Sequence, residues 1–419
     1  MSCCTNADTH VASGKPTVLI VGAGFGGLAC AKQLVKNGAA KKFRVVLLDS
    51  KDYFSIGGMW QFVWNERLES LDKVKWPLSK AVLPGIELKT KTTVEKWSPS
   101  DKKVVLSDKS ELTYSHIVVA CGVVPDPTDI PGIEKTVNIC SEPHVRRQKD
   151  DLEKLVEKAQ SNRTIQRTFC LSISVNPYKC PPAPYELTFL AEEVLRKEGV
   201  RDNTKVIVTA PCDWTMPPNT KPVITKAMQE QGIEFLPNKE ILKITETDED
   251  SKTIHFKDDT SIDCDVLWTV WPIRAPDFVR DSGIPLNPKG TVNVDNKVTN
   301  TIKGYENTHI IGDACRVPFG QKGVPKAGEF AWKMGLSVGD AIAGLTKPAD
   351  RSGNCAAEAG FGKGFILQPN FSDVCNDPEN GKPKVSIELT DVGTDLKVKW
   401  CNGYLKEIFG DNVKPVVLN

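Results

Sequence analysis

Thr17-Val-Leu-Ile-Val-Gly22-Ala-Gly24-Phe-Gly-Gly27-Leu-Ala-Cys-Ala31 is the stretch whose reading decides the fold. An apolar, β-branched run ends in Gly22-x-Gly24-x-x-Gly27 and continues with helical spacing through Leu34. Gly22 permits a tight turn, Gly24 lets backbone approach a pyrophosphate, and Gly27 lets the helix pack on the strand. A diphosphate then meets the free N–H groups and the positive dipole end of that helix. A second apolar run, Phe43-Arg-Val-Val-Leu-Leu48, leads into Asp49 and Ser50. An acid about 20 residues past the glycines is placed to accept ribose hydroxyls. Strand, glycines, helix, strand and acid in that order predict a doubly wound dinucleotide-binding unit.

Which dinucleotide it takes depends on a second turn in mid-chain. Thr168-Phe-Cys-Leu-Ser-Ile-Ser-Val175 reads as a buried strand, and residues 187–197 read as an amphipathic helix. Between them, where a nicotinamide-binding repeat carries glycines, stands Asn176-Pro-Tyr-Lys-Cys-Pro-Pro-Ala-Pro-Tyr-Glu186. Its four prolines remove four backbone donors, and no glycine allows close approach to a phosphate. The second unit is therefore predicted to hold no nucleotide. The first then holds FAD, which does redox chemistry alone. Two further stretches fit FAD. Tyr114-Ser-His-Ile-Val-Val-Ala-Cys121-Gly122 is a strand turning at glycine that resembles the Ala-Thr-Gly turn of two-dinucleotide-domain FAD proteins, with Cys121 in place of threonine. Thr308-His-Ile-Ile-Gly312-Asp313-Ala resembles the strand whose acid binds the ribityl chain in FAD proteins, the plainer alternative for Asp313 being a helix N-cap.

Composition bounds the rest. The 419 residues carry 54 Lys+Arg against 53 Asp+Glu, too balanced for a nucleic-acid-binding face. No apolar run is long enough to span a membrane, and the polar start, residues 1–15, lacks a signal-peptide pattern. The chain is expected to be intracellular, soluble or peripheral. Thirteen cysteines with no CxxC pair and only 5 histidines exclude a zinc cluster and a secreted disulfide scaffold. Most read as small buried apolar residues.

The chain resembles the sulfide:quinone oxidoreductase and flavocytochrome c sulfide dehydrogenase family, within the disulfide-oxidoreductase flavoproteins. Tyr178-Lys-Cys180-Pro-Pro-Ala-Pro-Tyr-Glu186 is similar to the Cys-Pro-Pro-Gly-Pro-Tyr-Glu of the flavocytochrome c flavoprotein subunit. Gly312-Asp-Ala-Cys followed by Val324-Pro-Lys326-Ala-Gly328 resembles that family's Pro-Lys-[Ser/Thr]-Gly. Cys355-Ala-Ala-Glu-Ala-Gly-Phe-Gly-Lys-Gly resembles the segment around its C-terminal catalytic cysteine, and Cys140 matches a cysteine of some quinone-reducing members.

The resemblance implies that Cys180 and Cys355 meet above the flavin and, in the resting enzyme, are joined directly or through bridging sulfur. It implies oxidation of sulfide, or of a small thiol or polysulfide, to persulfide sulfur, with electrons leaving to quinone or cytochrome c. Lys326 would face the flavin pyrimidine, Glu186 would accept a proton near Cys180, and Cys140 is a candidate for catalysis or flavin attachment. One departure stands out. The flavin-linking cysteine of flavocytochrome c is replaced here in Asp52-Tyr-Phe-Ser-Ile56, so that covalent link is absent. Alternatives remain an NAD(P)H-dependent flavin dehydrogenase and a non-catalytic flavoprotein scaffold. A peripheral membrane contact and a homodimer stay open.

The expected architecture is α/β, with two Rossmann-like doubly wound domains and a small C-terminal α+β domain. Residues 16–148 and 285–350 form the FAD domain, 149–284 the second unit, and 351–419 the C-terminal domain. Within these, 146–160 is expected to be helical, 246–252 to hold a solvated hairpin turn, and 385–390 and 395–400 to form a strand pair.

Overall fold

The computed structural model describes residues 14–247 and 251–419. Its first sheet has six strands, in the order Thr301–Ile302, Tyr305–Ile310, His116–Val119, Thr17–Val21, Arg44–Leu48, Ile86–Lys89. All neighbours pair in parallel except the two-residue edge strand. The strand Thr17–Val21 lies in the middle, and residues 18–21 are buried, as a strand covered by helices on both faces requires. The helix Phe25–Lys36 leaves its end and packs against Gly328–Ile342. Glycine sets that closeness: a Cβ on Gly335 would stand 2.2 Å from the carbonyl oxygen of Gly26.

The second sheet is parallel throughout, in the order Val137–Asn138, Val266–Val270, Arg167–Ile173, Thr204–Thr209, Glu234–Leu236. The helix after its central strand spans Ala183–Lys197, four residues more at the start than the hydrophobic pattern alone marks. Pro182 and Pro184 are accommodated because first-turn N–H groups have no partner within the helix. The charged helix runs Val145–Ser161. The strands Ile241–Glu246 and Lys252–Phe256 pair antiparallel around the expected hairpin turn, of which residues 248–250 lie outside the described ones.

The C-terminal part departs from expectation. Lys384–Thr390 is a strand, but it pairs with Lys363–Asn370, which in turn pairs with Cys355–Gly360. Residues 395–400 are not a strand: they belong to the helix Gly393–Phe409. Asp395-Leu-Lys-Val-Lys-Trp alternates like a strand, yet Gly393, Lys397, Cys401, Leu405, Ile408 and Phe409 are the buried positions, spaced for one helical face. Burying the aliphatic and aromatic members stabilises by about 1.5–3 kcal/mol each, which outweighs the local alternation. No helix among the described residues is long and apolar enough to cross a membrane.

Candidate active site

One continuous cavity of about 900 Å³ runs between the sheets and under the last helix. Gly22, Gly24, Asp49, Ser50, Cys121, Gly122, Gly312 and Asp313 line it, as do Cys140, Cys180, Glu186, Lys326 and Cys355. Gly27 sits just behind, in the buried start of the first helix.

The glycine turn is shaped as a phosphate cradle. A Cβ on Gly27 would lie 1.8 Å from the Gly22 carbonyl oxygen, and one on Gly22 would lie 2.5 Å from that of Ala120. At Gly24 a Cβ would meet nothing within 4 Å, so of these three glycines it alone leaves room for a ligand at its Cα. Gly24 brings no side-chain cap to the helix, which leaves first-turn N–H groups for an anion. Asp49 is held in place by the N–H groups of Ala23 at 2.6 Å and Lys51 at 2.8 Å. Asp313 follows the left-handed turn at Gly312 (φ 69°). These residues fit FAD: the helix start would hold its diphosphate, and Asp49 and Asp313 would flank it.

Cys180 stands at φ 56°, a left-handed backbone that costs a non-glycine residue about 1–2 kcal/mol. Two contacts hold it there. Its N–H donates to the Lys326 carbonyl oxygen at 2.8 Å, and its own carbonyl accepts the Ala183 N–H at 2.9 Å. A parallel bridge between Lys179 and Lys326 thus stitches the cysteine loop to the first domain. Lys326 turns its ammonium back onto the carbonyls of Asp313 (2.5 Å) and Cys315 (2.9 Å), and burial pulls its pKa down. Cys140 Sγ lies 3.7 Å from the Lys179 carbonyl oxygen.

Cys140, Cys180 and Cys355 all carry free thiols. Burial raises all three: Cys355 is pushed up to about 12, and the carboxylate of Glu186 adds to the rise. At Cys180 the neighbouring Cys355 and Cys140 add to the burial effect, while the Lys397 ammonium opposes it. At Cys140 the opposing charge is Lys179.

Lys397 escaped the sequence reading. It is 3% exposed, lines the cavity, and makes a buried ion pair with Glu186, itself 4% exposed. The same Glu186 Oε1 also accepts from Gln61 Nε2 and from the Glu358 N–H, both at 3.0 Å. The ammonium lies 5.6 Å from the Phe62 ring centroid. One signal was present: a lysine at a core position of a helical apolar stripe. Trp400, one turn on, lines the cavity and donates to Glu329 at 3.0 Å.

The second sheet's strand ends, where a doubly wound unit binds nucleotide, are filled. Tyr185 lies tilted against Trp214, ring centroids 4.8 Å apart, and Trp214 meets Phe235 at 5.4 Å. The hydroxyls of Tyr178 and Tyr185 both bond Thr215, at 2.9 and 2.7 Å. NADH and NADPH are therefore expected neither to bind saturably nor to reduce the flavin rapidly. Anaerobic mixing followed by flavin absorbance checks this, and fast saturable bleaching would contradict it.

Comparison with known proteins agrees with this construction. Residues 16–163 match the family described as "Pyridine nucleotide-disulphide oxidoreductase", and residues 155–271 match "Sulfide dehydrogenase [flavocytochrome c] flavoprotein chain, central". The mitochondrial sulfide:quinone oxidoreductase of Dictyostelium discoideum is 24% identical over 314 residues, covering 72% of this chain and 66% of that protein. The mitochondrial sulfide:quinone oxidoreductase of Schizosaccharomyces pombe is 23% identical over 330 residues, covering 73% and 70%. The crystal structure of sulfide:quinone oxidoreductase from Aquifex aeolicus shares the fold with a TM-score of 0.74 at 17% identity, covering 96% of this chain and 97% of that one. Across residues 16–271 the chain is thus similar to the pyridine nucleotide-disulphide oxidoreductases and to the sulfide dehydrogenase flavoprotein chain, along its length it resembles the sulfide:quinone oxidoreductases, and it is an FAD-dependent oxidoreductase.

Proposed function

We propose that this flavoprotein oxidises sulfide to persulfide sulfur through Cys180 and Cys355 and passes the electron pair to a quinone. The observation that carries the reading is that Cys140, Cys180 and Cys355 share the FAD cavity, beside a second domain whose nucleotide site is filled with aromatic rings. In the oxidised pair, hydrosulfide attacks one sulfur of the Cys180–Cys355 bond. That S–S bond breaks, a new one forms in a persulfide, and the other cysteine leaves as thiolate. A second hydrosulfide or a small thiol takes the outer sulfur as persulfide, which leaves both cysteines as thiolates, and when bound FAD would supply the two-electron acceptor that rejoins them.

The surrounding residues serve the thiolate. Burial disfavours the anion at both cysteines, and the Lys397 ammonium offsets part of that cost. Glu186, oriented by three donors to one oxygen, is placed to take the proton that sulfide sheds. Lys326 adds buried positive charge beside the Asp313 turn. Trp400, tilted against Phe25 at 6.1 Å, gives the cavity an apolar wall suited to a quinone ring.

Sulfide added anaerobically should bleach the flavin, and a short-chain quinone should restore its colour faster than cytochrome c does. Bleaching by NADH alone would sink the reading, and faster reoxidation by cytochrome c would replace the quinone. Ile56, 1% exposed on the cavity wall, stands where a thioether would need cysteine. Acid precipitation is accordingly expected to release the FAD intact. Flavin that stayed with the pellet would contradict this and point to Cys140.

A further inference from the structure

Residues from three separate stretches of chain meet at one carboxylate. Glu142 Oε1 accepts from the Tyr53 hydroxyl at 2.8 Å and from Lys75 at 2.9 Å, and its Oε2 accepts from Lys51 at 2.9 Å. Both ammonium groups lie 5.0 Å from the centroid of the Tyr53 ring. The Glu142 side chain is 11% exposed, and the two cations hold its carboxyl below the usual range against the effect of burial. Lys51, Tyr53 and Glu142 line the FAD cavity, while Lys75 stands behind them on the strand paired with that of Tyr53.

The positions of these residues in the chain matter. Lys51 lies two residues past Asp49 and donates its backbone N–H to that acid at 2.8 Å. Glu142 lies two residues past Cys140, on the segment that leads out of the first domain. We propose that Glu142 is the catch of a clasp over the FAD cavity, tying the Asp49 strand end to the Cys140 loop. Two lysines on one tyrosine ring repel each other, and the shared carboxylate is what lets them stay together. When it lets go, both ion pairs that tie the Asp49 strand end to the Cys140 loop are lost together and the cavity mouth opens. The clasp sets how fast FAD leaves, and it holds the Cys140 loop against the cavity as a positioning element.

The test uses the FAD-loaded protein. Dilution and the rise of free FAD fluorescence give the release rate, and peptide mass spectrometry gives the rate of Cys140 alkylation by iodoacetamide. Glu142→Gln keeps the shape and removes the charge. It should release FAD on the order of tenfold faster, the factor that loss of about 1.4 kcal/mol brings, and should speed Cys140 labelling in parallel. Raising salt to 1 M, where screening acts within about 3 Å, should hasten release from the parent and leave Glu142→Gln unchanged. A merely structural glutamate would not show that difference. Tyr53→Phe loses one hydroxyl and should fall between the two, so the test survives if Glu142→Gln does not fold. Asp72→Asn acts on the outer side of Lys75, 3.9 Å from it and 88% exposed, and should match the parent. Parental release from Glu142→Gln or Tyr53→Phe, or acceleration by Asp72→Asn equal to that of Glu142→Gln, would overturn the clasp.

Discussion

Cys180→Ser and Cys355→Ser should each abolish rapid sulfide-driven bleaching while keeping FAD and fold. In the proposed mechanism each cysteine performs one half of a thiol exchange, so losing either is expected to cost on the order of 10⁴-fold in turnover, and losing both little more. Anaerobic stopped-flow mixing with sulfide reads the loss, and the flavin spectrum with a thermal melt confirms that the protein is intact. The comparison cysteines need care. Cys264 and Cys401 are 1% and 0% exposed, so a serine hydroxyl there would be buried in apolar surroundings. Cys264→Ala and Cys401→Ala are the suitable comparisons and should bleach at the parental rate. A single substitution at Cys180 or Cys355 that kept parental kinetics would end the paired-cysteine mechanism and favour a non-catalytic flavoprotein.

The second large effect concerns stability. Lys397→Met should destabilise the protein by about 3–5 kcal/mol, because it strands the Glu186 carboxylate in a dry site. Glu358, 0% exposed with one oxygen unpartnered, stands close by and already has its pKa raised by burial. Adding Glu186→Gln removes the stranded charge and should restore most of the loss, giving a coupling energy well above that of a surface pair. Urea unfolding of the parent, the two single variants and the double variant measures it. A Lys397→Met protein with parental urea midpoint would show that the pair is solvated.

The parts of the fold that were legible are those whose signal is local. Gly22, Gly24 and Gly27 announce their turn because sterics permit little else there, and the mid-chain prolines identify the Cys180 loop by what they forbid. Cys140, Cys180, Glu186, Lys326 and Cys355 could all be chosen from motifs, and all border the same cavity. Lys397 could not, since its partner lies 211 positions away and a lysine at a core position disguises the helix that carries it. The short alternation in residues 395–400 then imitated a strand. The Glu142 clasp was hidden for a related reason. Lys51, Tyr53 and Lys75 look like solvated surface until the fold turns them onto one carboxylate.

The last helix places Lys397 and Trp400 on the cavity and sets Tyr404 edge-on to Phe25 at 5.0 Å, against the start of the phosphate-binding helix. This bears on how the protein is made. Synthesis proceeds at about 5–20 residues per second, so the glycine turn leaves the ribosome roughly 20–75 s before this wall exists. A nascent chain offers a cradle for the diphosphate while the flavin end is still open to water. Cofactor loading is therefore expected late in biogenesis, and chains that end between residues 343 and 392, past the helix Gly328–Ile342 that packs on the first helix, are expected to collect as apoprotein.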